Sequence, residues 1–276
     1  KLHFVDVVEE YKEVVLNPVY GYGANLNPCL DCKIFMVRKA LGWMRDHGFD
    51  FIITGEVIGQ RPKSQRKDTM PVVQRDSGAE DLLLRPLCAK RLPPTLPERE
   101  GWVDRERLLD ITGRSRKSQM LLAEHFGFEG YAQPAGGCCF LTDPQYSVKL
   151  RDLWGTRRDS AYELDDIMLL KVGRHFRLAP HVKVIIAREE GEGRFLRGYR
   201  KRFISLRPLS HSGPEALLDG APTEADIRLA ARLVARYSKG RNGALVRLEL
   251  EDLDGSTREL DVPPFAPQDI PQDWLL

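Results

Sequence analysis

Apolar positions recur along the chain with two different periods. From Asp31, residues Ile34, Phe35, Val37, Leu41 and Met44 fall three and four apart, which predicts a helix ending near Gly48. Glu224 to Tyr237 repeats the pattern, with Ile227, Ala230, Ala231, Val234 and Tyr237 on one side. Arg114 to Phe126 gives a third helix, stopped by Gly127. Shorter helices are expected over Glu9–Leu16, Trp102–Ile111, Tyr146–Leu153 and Tyr162–Leu170. Strands are expected at the apolar runs Leu2–Val8, Asp50–Thr54, Leu82–Leu87 and Val182–Ala187. Ala244–Leu250 alternates, and Arg258–Val262 pairs with it through the Asp254-Gly255 turn.

The first half reads as strand, helix and strand, the order of an α/β unit with a parallel sheet. Ligands of such sheets bind beyond the carboxyl ends of the strands, where Thr54 and Gly55 stand. The length of 276 residues suggests two domains, and the change of character after Pro144 places them at 1–150 and 151–276. With 42% hydrophobic and 30% charged residues, the composition is that of an ordinary soluble domain. No apolar run is long enough to span a bilayer, so no membrane partner is expected.

Five cysteines include two tight pairs, Cys29/Cys32 and Cys138/Cys139. That pattern implies metal or redox chemistry in a reducing cytoplasm more than a disulfide framework. Cys29-x-x-Cys32 follows an Asn-Pro turn and opens a helix, where backbone N–H groups favour thiolate over thiol. A thiolate there can attack, carry sulfur, or bind iron or zinc. Cys138 follows Pro134-Ala135-Gly136-Gly137, and the two turns read as halves of one site. Cys29, Cys32 and Cys138 can hold three irons of a 4Fe–4S cluster and leave the fourth open. A structural zinc site is the alternative, with Cys139 or a histidine as fourth ligand. Cys88 ends an apolar run and reads as core.

The formal net charge is +2, but Lys171 to Arg202 alone carries ten cations and three acids, or +7, leaving −5 for the rest. Lys171, Arg174, His175, Arg177, Lys183, Arg197, Arg200, Lys201 and Arg202 are therefore candidate RNA contacts, with His175 among the interleaved rings able to stack on unpaired bases. The loop Gln60–Lys67 is basic as well, and is either a solvated surface or a phosphate contact.

Asn27-Pro28-Cys29-x-x-Cys32, Asp50-Phe51-Ile52-Ile53-Thr54-Gly55, Gln60-Arg61-Pro62, Arg85-Pro86-Leu87, Gly113-Arg114-Ser115-Arg116 and Gly137-Cys138 resemble the tRNA thiouridine synthetases of the PP-loop ATP pyrophosphatase superfamily. The similarity is to its ThiI-like or 2-thiouridylase-like branch and covers residues 1–150. Leu170-Lys171-Val172-Gly173-Arg174-His175 and Val182-Lys183-Val184 resemble the RNA-binding domain of NFACT proteins. The resemblance implies a Rossmann-like PP-loop (HUP) domain with a parallel sheet, followed by a smaller α+β RNA-binding domain. The implied activity is tRNA sulfuration. ATP with Mg²⁺ adenylates a uridine, and sulfur from sulfide or a persulfide carrier displaces AMP. In the cluster version Cys29, Cys32 and Cys138 are the ligands; in the persulfide version Cys29 and Cys138 are the catalytic pair. Thr54 and Gly55 are the remaining nucleotide contacts, because the superfamily's Ser-Gly-Gly-x-Asp-Ser phosphate loop is absent and is expected upstream of Lys1. Relatives of this kind commonly dimerise, which makes a homodimer an expectation by analogy. Two other readings stand beside this one. One is an RNA-binding module with a structural metal and no ATP chemistry; the other is a PP-loop enzyme that moves sulfur to a small molecule.

Overall fold

The computed structural model describes residues 1–130, 139–157 and 162–276. They form two compact units, Lys1–Thr142 and Asp143–Leu276. The boundary expected at 150/151 falls inside a helix of the second unit, Pro144–Thr156.

The first unit carries helices α1 (Val8–Leu16) and α2 (Cys29–Asp46), strand β1 (Ile52–Ile53), helix α3 (Met70–Ser77), strand β2 (Leu83–Leu84), and helices α4 (Leu96–Arg99) and α5 (Lys117–His125). The apolar stripe of α2 is the core. Leu30, Ile34, Val37, Leu41 and Met44 are buried with Val73 of α3, Ile52 of β1 and Leu83 of β2. Each such side chain contributes about 1.5–3 kcal/mol on leaving water.

The extended parallel sheet of a Rossmann-like PP-loop domain is not found among the described residues. β1 and β2 do pair in parallel, but they match only Ile52 with Leu83 and Ile53 with Leu84. The apolar runs are too short to continue: Thr54-Gly55 ends one, and Pro86, which has no N–H to donate, ends the other. Leu2–Val8 forms no strand, and Phe4 is 91% exposed. Trp102–Ile111 contributes one short turn of helix, Arg105–Arg107.

The second unit adds helices α6 (Pro144–Thr156) and α7 (Leu164–Leu169), strands β3 (Arg174–Ala179) and β4 (Val182–Ile186), and helix α8 (Glu190–Arg197). Strands β5 (Ile204–Pro208) and β6 (Ala216–Gly220), helix α9 (Glu224–Arg236) and strands β7 (Val246–Glu251) and β8 (Thr257–Val262) follow. The six strands make one antiparallel sheet in the order β3-β4-β6-β5-β7-β8. Helix α9 starts at a reciprocal cap, in which Thr223 and Asp226 each accept the other's backbone N–H. Its apolar side, Ile227, Ala230, Ala231 and Val234, is buried with Val184 and Ile186 of β4. The other side of β4 presents Ile185, which clusters with Leu169 of α7, Leu196 of α8 and Leu217 of β6. Alternation thus buries β4 on both faces.

Two positions make this arrangement testable. Gly220 ends β6 at φ +115°, and a Cβ there would lie 2.0 Å from His181 O. Gly220→Ala is expected to cost more than about 1 kcal/mol in urea unfolding of the full chain. Glu192 of α8 accepts from the backbone and guanidinium of Arg188 at 2.7 and 3.0 Å. Burial pushes its carboxyl up, but these donors and the Gly173 N–H outweigh burial and hold it at about 2. A carboxyl that ionises more readily folded than unfolded stabilises fully above its ordinary value and loses that contribution as pH falls. The stability difference between wild type and Glu192→Gln is therefore expected to be largest near neutral pH and to shrink from about pH 4.5 down to about 2.

Candidate functional site

The cysteine loop is built around the start of α2. Asp31, in its first turn, accepts the Val19 N–H at 2.8 Å and the Tyr20 N–H at 3.1 Å, which ties the preceding loop to the helix. Cys29 is half-buried and its Sγ donates to Ser64 Oγ at 3.3 Å. Cys32, half-buried too, lies almost one turn further along the same helix. Cys138 lies outside the described residues, as does the turn before it. Its neighbour Cys139 is described, and it comes back to this loop. Its Sγ is 3.8 Å from Asn27 Oδ1, and Asn25 Nδ2 donates to Thr142 O at 2.8 Å. Cys139 and Thr142 therefore lie against the first cysteine loop, Cys139 beside a residue two positions before Cys29. Cys88 is core, as its apolar neighbours imply, and burial pushes its thiol up.

A cluster or zinc ion needs at least three converging donors. Among the described residues no three His, Cys, Asp or Glu side chains converge, and Cys29 and Cys32 supply two thiols. The described residues alone therefore do not make up a ligand set for a cluster or a zinc ion. ATP does not fit what is described. Thr54 N–H is used by Leu84 O at 3.0 Å, and Thr54 Oγ1 donates to Glu56 at 2.8 Å, so neither faces a phosphate. Gly55 is exposed beside them. Glu56 is itself buried, 3.0 Å from Arg85 Nε and 3.6 Å from Lys33 Nζ. This charge group, one helical turn beyond Cys29, holds α2 against the strand end. Breaking such a buried pair from one side costs more than removing both partners.

The basic segment divides into cations that the fold uses and cations that it leaves open. Arg177, Lys183 and Asp219 stand in register on three neighbouring strands and so share one face. Asp152 of α6 closes the group, accepting from Arg177 at 2.9 and 2.6 Å, and Lys183 Nζ is 3.5 Å from Asp219. Burial lowers the Lys183 ammonium, and the two carboxylates oppose that effect. His175, opposite Ile185 on that face, is fully buried and donates from Nε2 to Val172 O at 2.9 Å. Burial holds its ring well below the ordinary value, so it is neutral. As RNA contacts, His175, Lys183 and Arg177 are corrected: water and ligand do not reach the first two, and the third is clamped by Asp152. Arg200 is held by Glu215 at 2.6 Å and Arg202 by Asp165 at 2.6 Å. Lys171 contacts Met168 Sδ at 3.4 Å. Lys201 is exposed.

Arg174 and Arg197 have another setting. They line a groove of about 1560 Å³ in the second unit, together with Arg188, Arg236, Lys239 and Arg241. Arg188 is held by Glu192; the other five have no carboxylate partner among the described residues. Three glutamates also line it, but Glu215 is paired with Arg200 and Glu190 with Arg194, leaving Glu189. The Arg174 guanidinium lies 5.0 Å from the ring centre of Tyr237, which is 36% exposed. The turn Ser238–Asn242 is fixed, not loose. Lys239 N–H donates to Ser212 O at 2.8 Å, and a Cβ on Gly240 would lie 2.7 Å from His211 Nδ1 and Val246 Cγ2. Arg236, Lys239 and Arg241 were missed in the sequence because they lie at and just after the end of α9, beyond the basic segment. Three cations in six residues of a Ser/Gly-rich turn were the available signal.

No curated protein matches the chain. A solved structure, the C-terminal part of the fibronectin/fibrinogen-binding protein from Streptococcus suis, is similar over 44% of this chain and 64% of that one, at 15% identity and a TM-score of 0.31. The chain thus spans less than two thirds of that structure. Residues 173–275, which hold the sheet, α9 and the whole groove, match the family model of the NFACT protein RNA binding domain, and RNA is the partner that this match supports.

Proposed function

We propose that the chain binds RNA through the groove of its second unit. The observation that carries this reading is the set of five cations, Arg174, Arg197, Arg236, Lys239 and Arg241, that line one groove without carboxylate partners among the described residues. Cations that the fold does not neutralise repel one another, and a phosphate backbone relieves that repulsion while releasing counterions. Tyr237 with Arg174 on its ring offers a flat surface for an unpaired base. The substrate class is therefore RNA with accessible single-stranded nucleotides, and tRNA, which has such loops and ends, is the RNA that the sequence resemblance favours.

A second reading has its own observation. The contact of Cys139 with Asn27 supports the two cysteine turns as one site, and with RNA as partner the work of that site is sulfur transfer to a tRNA uridine. Cys29, Cys32 and Cys138 are its proposed residues. A 4Fe–4S cluster on these thiols would supply an open iron for the incoming sulfur. The ATP and Mg²⁺ that the resemblance implies enter no step here, because the described residues do not cradle a phosphate.

Two outcomes are expected. In equilibrium titrations of the full chain with labelled tRNA, Arg197→Ala, Lys239→Ala and Arg241→Ala each weaken binding and lower the slope of log K against log salt by about 0.7–0.9. Tyr237→Ala costs about 1–3 kcal/mol, whereas Tyr237→Phe retains affinity. Slopes equal to wild type in all three cation variants would remove the groove as the binding site. For the second reading, protein prepared without oxygen is expected to carry iron and acid-labile sulfide and to generate thiolated nucleosides in tRNA, read by mass spectrometry of the digest. Cys29→Ala is expected to abolish the product and leave tRNA affinity unchanged. Stoichiometric zinc with no thiolated product contradicts it.

A further inference from the structure

Outside two segments, the first unit pairs most of its surface cations with acids. Arg75 is paired with Asp76, Lys90 with Glu106, Arg91 with Asp110 and Arg99 with Asp81. Two segments depart from that habit. Residues 57–67 carry Arg61, Lys63, Arg66 and Lys67 with no acid, and residues 112–120 carry Arg114, Arg116 and Lys117 with none. They are about fifty residues apart in sequence, yet the fold joins them. Ile58 and Thr112 form a parallel bridge, Gly113 N–H donates to Ile58 O at 2.8 Å, and the Gln60 and Gln119 amides exchange hydrogen bonds at 2.6 and 3.3 Å. Seven cations are thereby held together, and only Arg66 has a carboxylate partner, Asp68, among the described residues.

The first segment is also fixed to the cysteine loop. Ser64 and Gln65 are buried: Ser64 Oγ accepts from Cys29 Sγ at 3.3 Å, and Gln65 O accepts the Gly59 N–H at 2.7 Å. Lys63 Nζ donates to Tyr22 O at 3.0 Å, in the loop that leads to Cys29. Buried polar anchors on the inside and charge on the outside give these cations a fixed place beside the thiol. A merely solvated surface has no need of that placement, and gains from the interleaved acids that the rest of the unit has.

We propose that this patch is a second RNA contact, which holds phosphates of the strand as it passes Cys29. It rests on the reading that the protein binds RNA, but it is independent of the groove. The chemistry it recognises is a run of phosphodiesters, read by charge and without base specificity. Arg61, Lys67, Arg114, Arg116 and Lys117 are the open donors.

The test uses the full chain and fluorescein-labelled bulk tRNA. A patch variant (Arg61→Gln, Arg114→Gln, Arg116→Gln) and a groove variant (Arg197→Gln, Lys239→Gln, Arg241→Gln) are titrated over a range of salt. The patch variant is expected to lower the log K against log salt slope by about 2–3, one phosphate contact for each lost cation. A wild-type slope in the patch variant with a reduced slope in the groove variant overturns the patch and leaves the groove. The reverse result supports the patch and overturns the groove. A wild-type chain that does not bind tRNA overturns both. A second measurement needs no variant: acetylation of wild-type amines, read by mass spectrometry, is expected to be suppressed by tRNA at Lys67 and Lys117. Unchanged acetylation there, or suppression by phosphatidylserine vesicles and not by tRNA, overturns the proposal.

Discussion

The second unit depends on the burial of β4 on both faces. All five residues from Val182 to Ile186 are buried, and one of them is a lysine. An ammonium in that position is costly unless it is paired, and the fold answers with Asp219 from β6 and Asp152 from α6. Arg177 joins the same carboxylate. This row fixes the register of three strands, since a slip of one residue would turn Lys183 toward the apolar face under α9 and Ile185 away from its own cluster. It also fixes α6 to the sheet. Which cations remain for a ligand is thus decided by the interior.

That division explains why charge density along the sequence pointed to the unit that matches the RNA-binding family model but could not separate the cations that the fold pairs from those that it leaves open. The segment Lys171–Arg202 is basic in sequence, but Arg177, Lys183, Arg200 and Arg202 serve carboxylates that lie up to scores of residues away. Those partners come from β6, α6, α7 and the loop before β6, and no local pattern couples them. His175 illustrates the same point from the apolar side: between charged neighbours it reads as a surface ring, while in register it faces Ile185 and is buried. The groove cations Arg236, Lys239 and Arg241 belong with Arg174 and Arg197 only after α9 has returned across the sheet.

Legibility followed the length of the periodic signal. Helices α2 and α9 and the β7–β8 hairpin were visible because their apolar positions repeat over several turns or pairs. The first unit was overread. Phe51-Ile52-Ile53 and Leu82-Leu83-Leu84 are apolar enough for strands but too short to extend a sheet, so strand and helix order suggested a parallel α/β layer that two two-residue strands do not make. β3, β5 and β6 carry polar residues that the fold pairs internally, which hides strands from a hydrophobicity pattern. Of the cysteine site, the described residues show Cys139 beside Asn27, while Cys138 and the turn before it lie outside them.

The residues around Cys29 and the groove share one design. In each, buried polar or glycine contacts hold a turn rigid, and most of the cations on that turn have no carboxylate partner among the described residues. Gly240 and the Ser212–Lys239 bond do this for the groove, and Ser64, Gln65 and the Ile58–Thr112 bridge do it beside Cys29. Rigid placement lowers the entropy lost when a charged side chain meets a phosphate. Two such surfaces on one chain also make the second contact intramolecular, so each needs only modest affinity of its own. A long polyanion offers phosphates to each, whereas a mononucleotide offers them to one at a time. On the proposed reading, selection for a polymeric partner rests on unpaired charge carried by each of the two units, with no base-specific contact required.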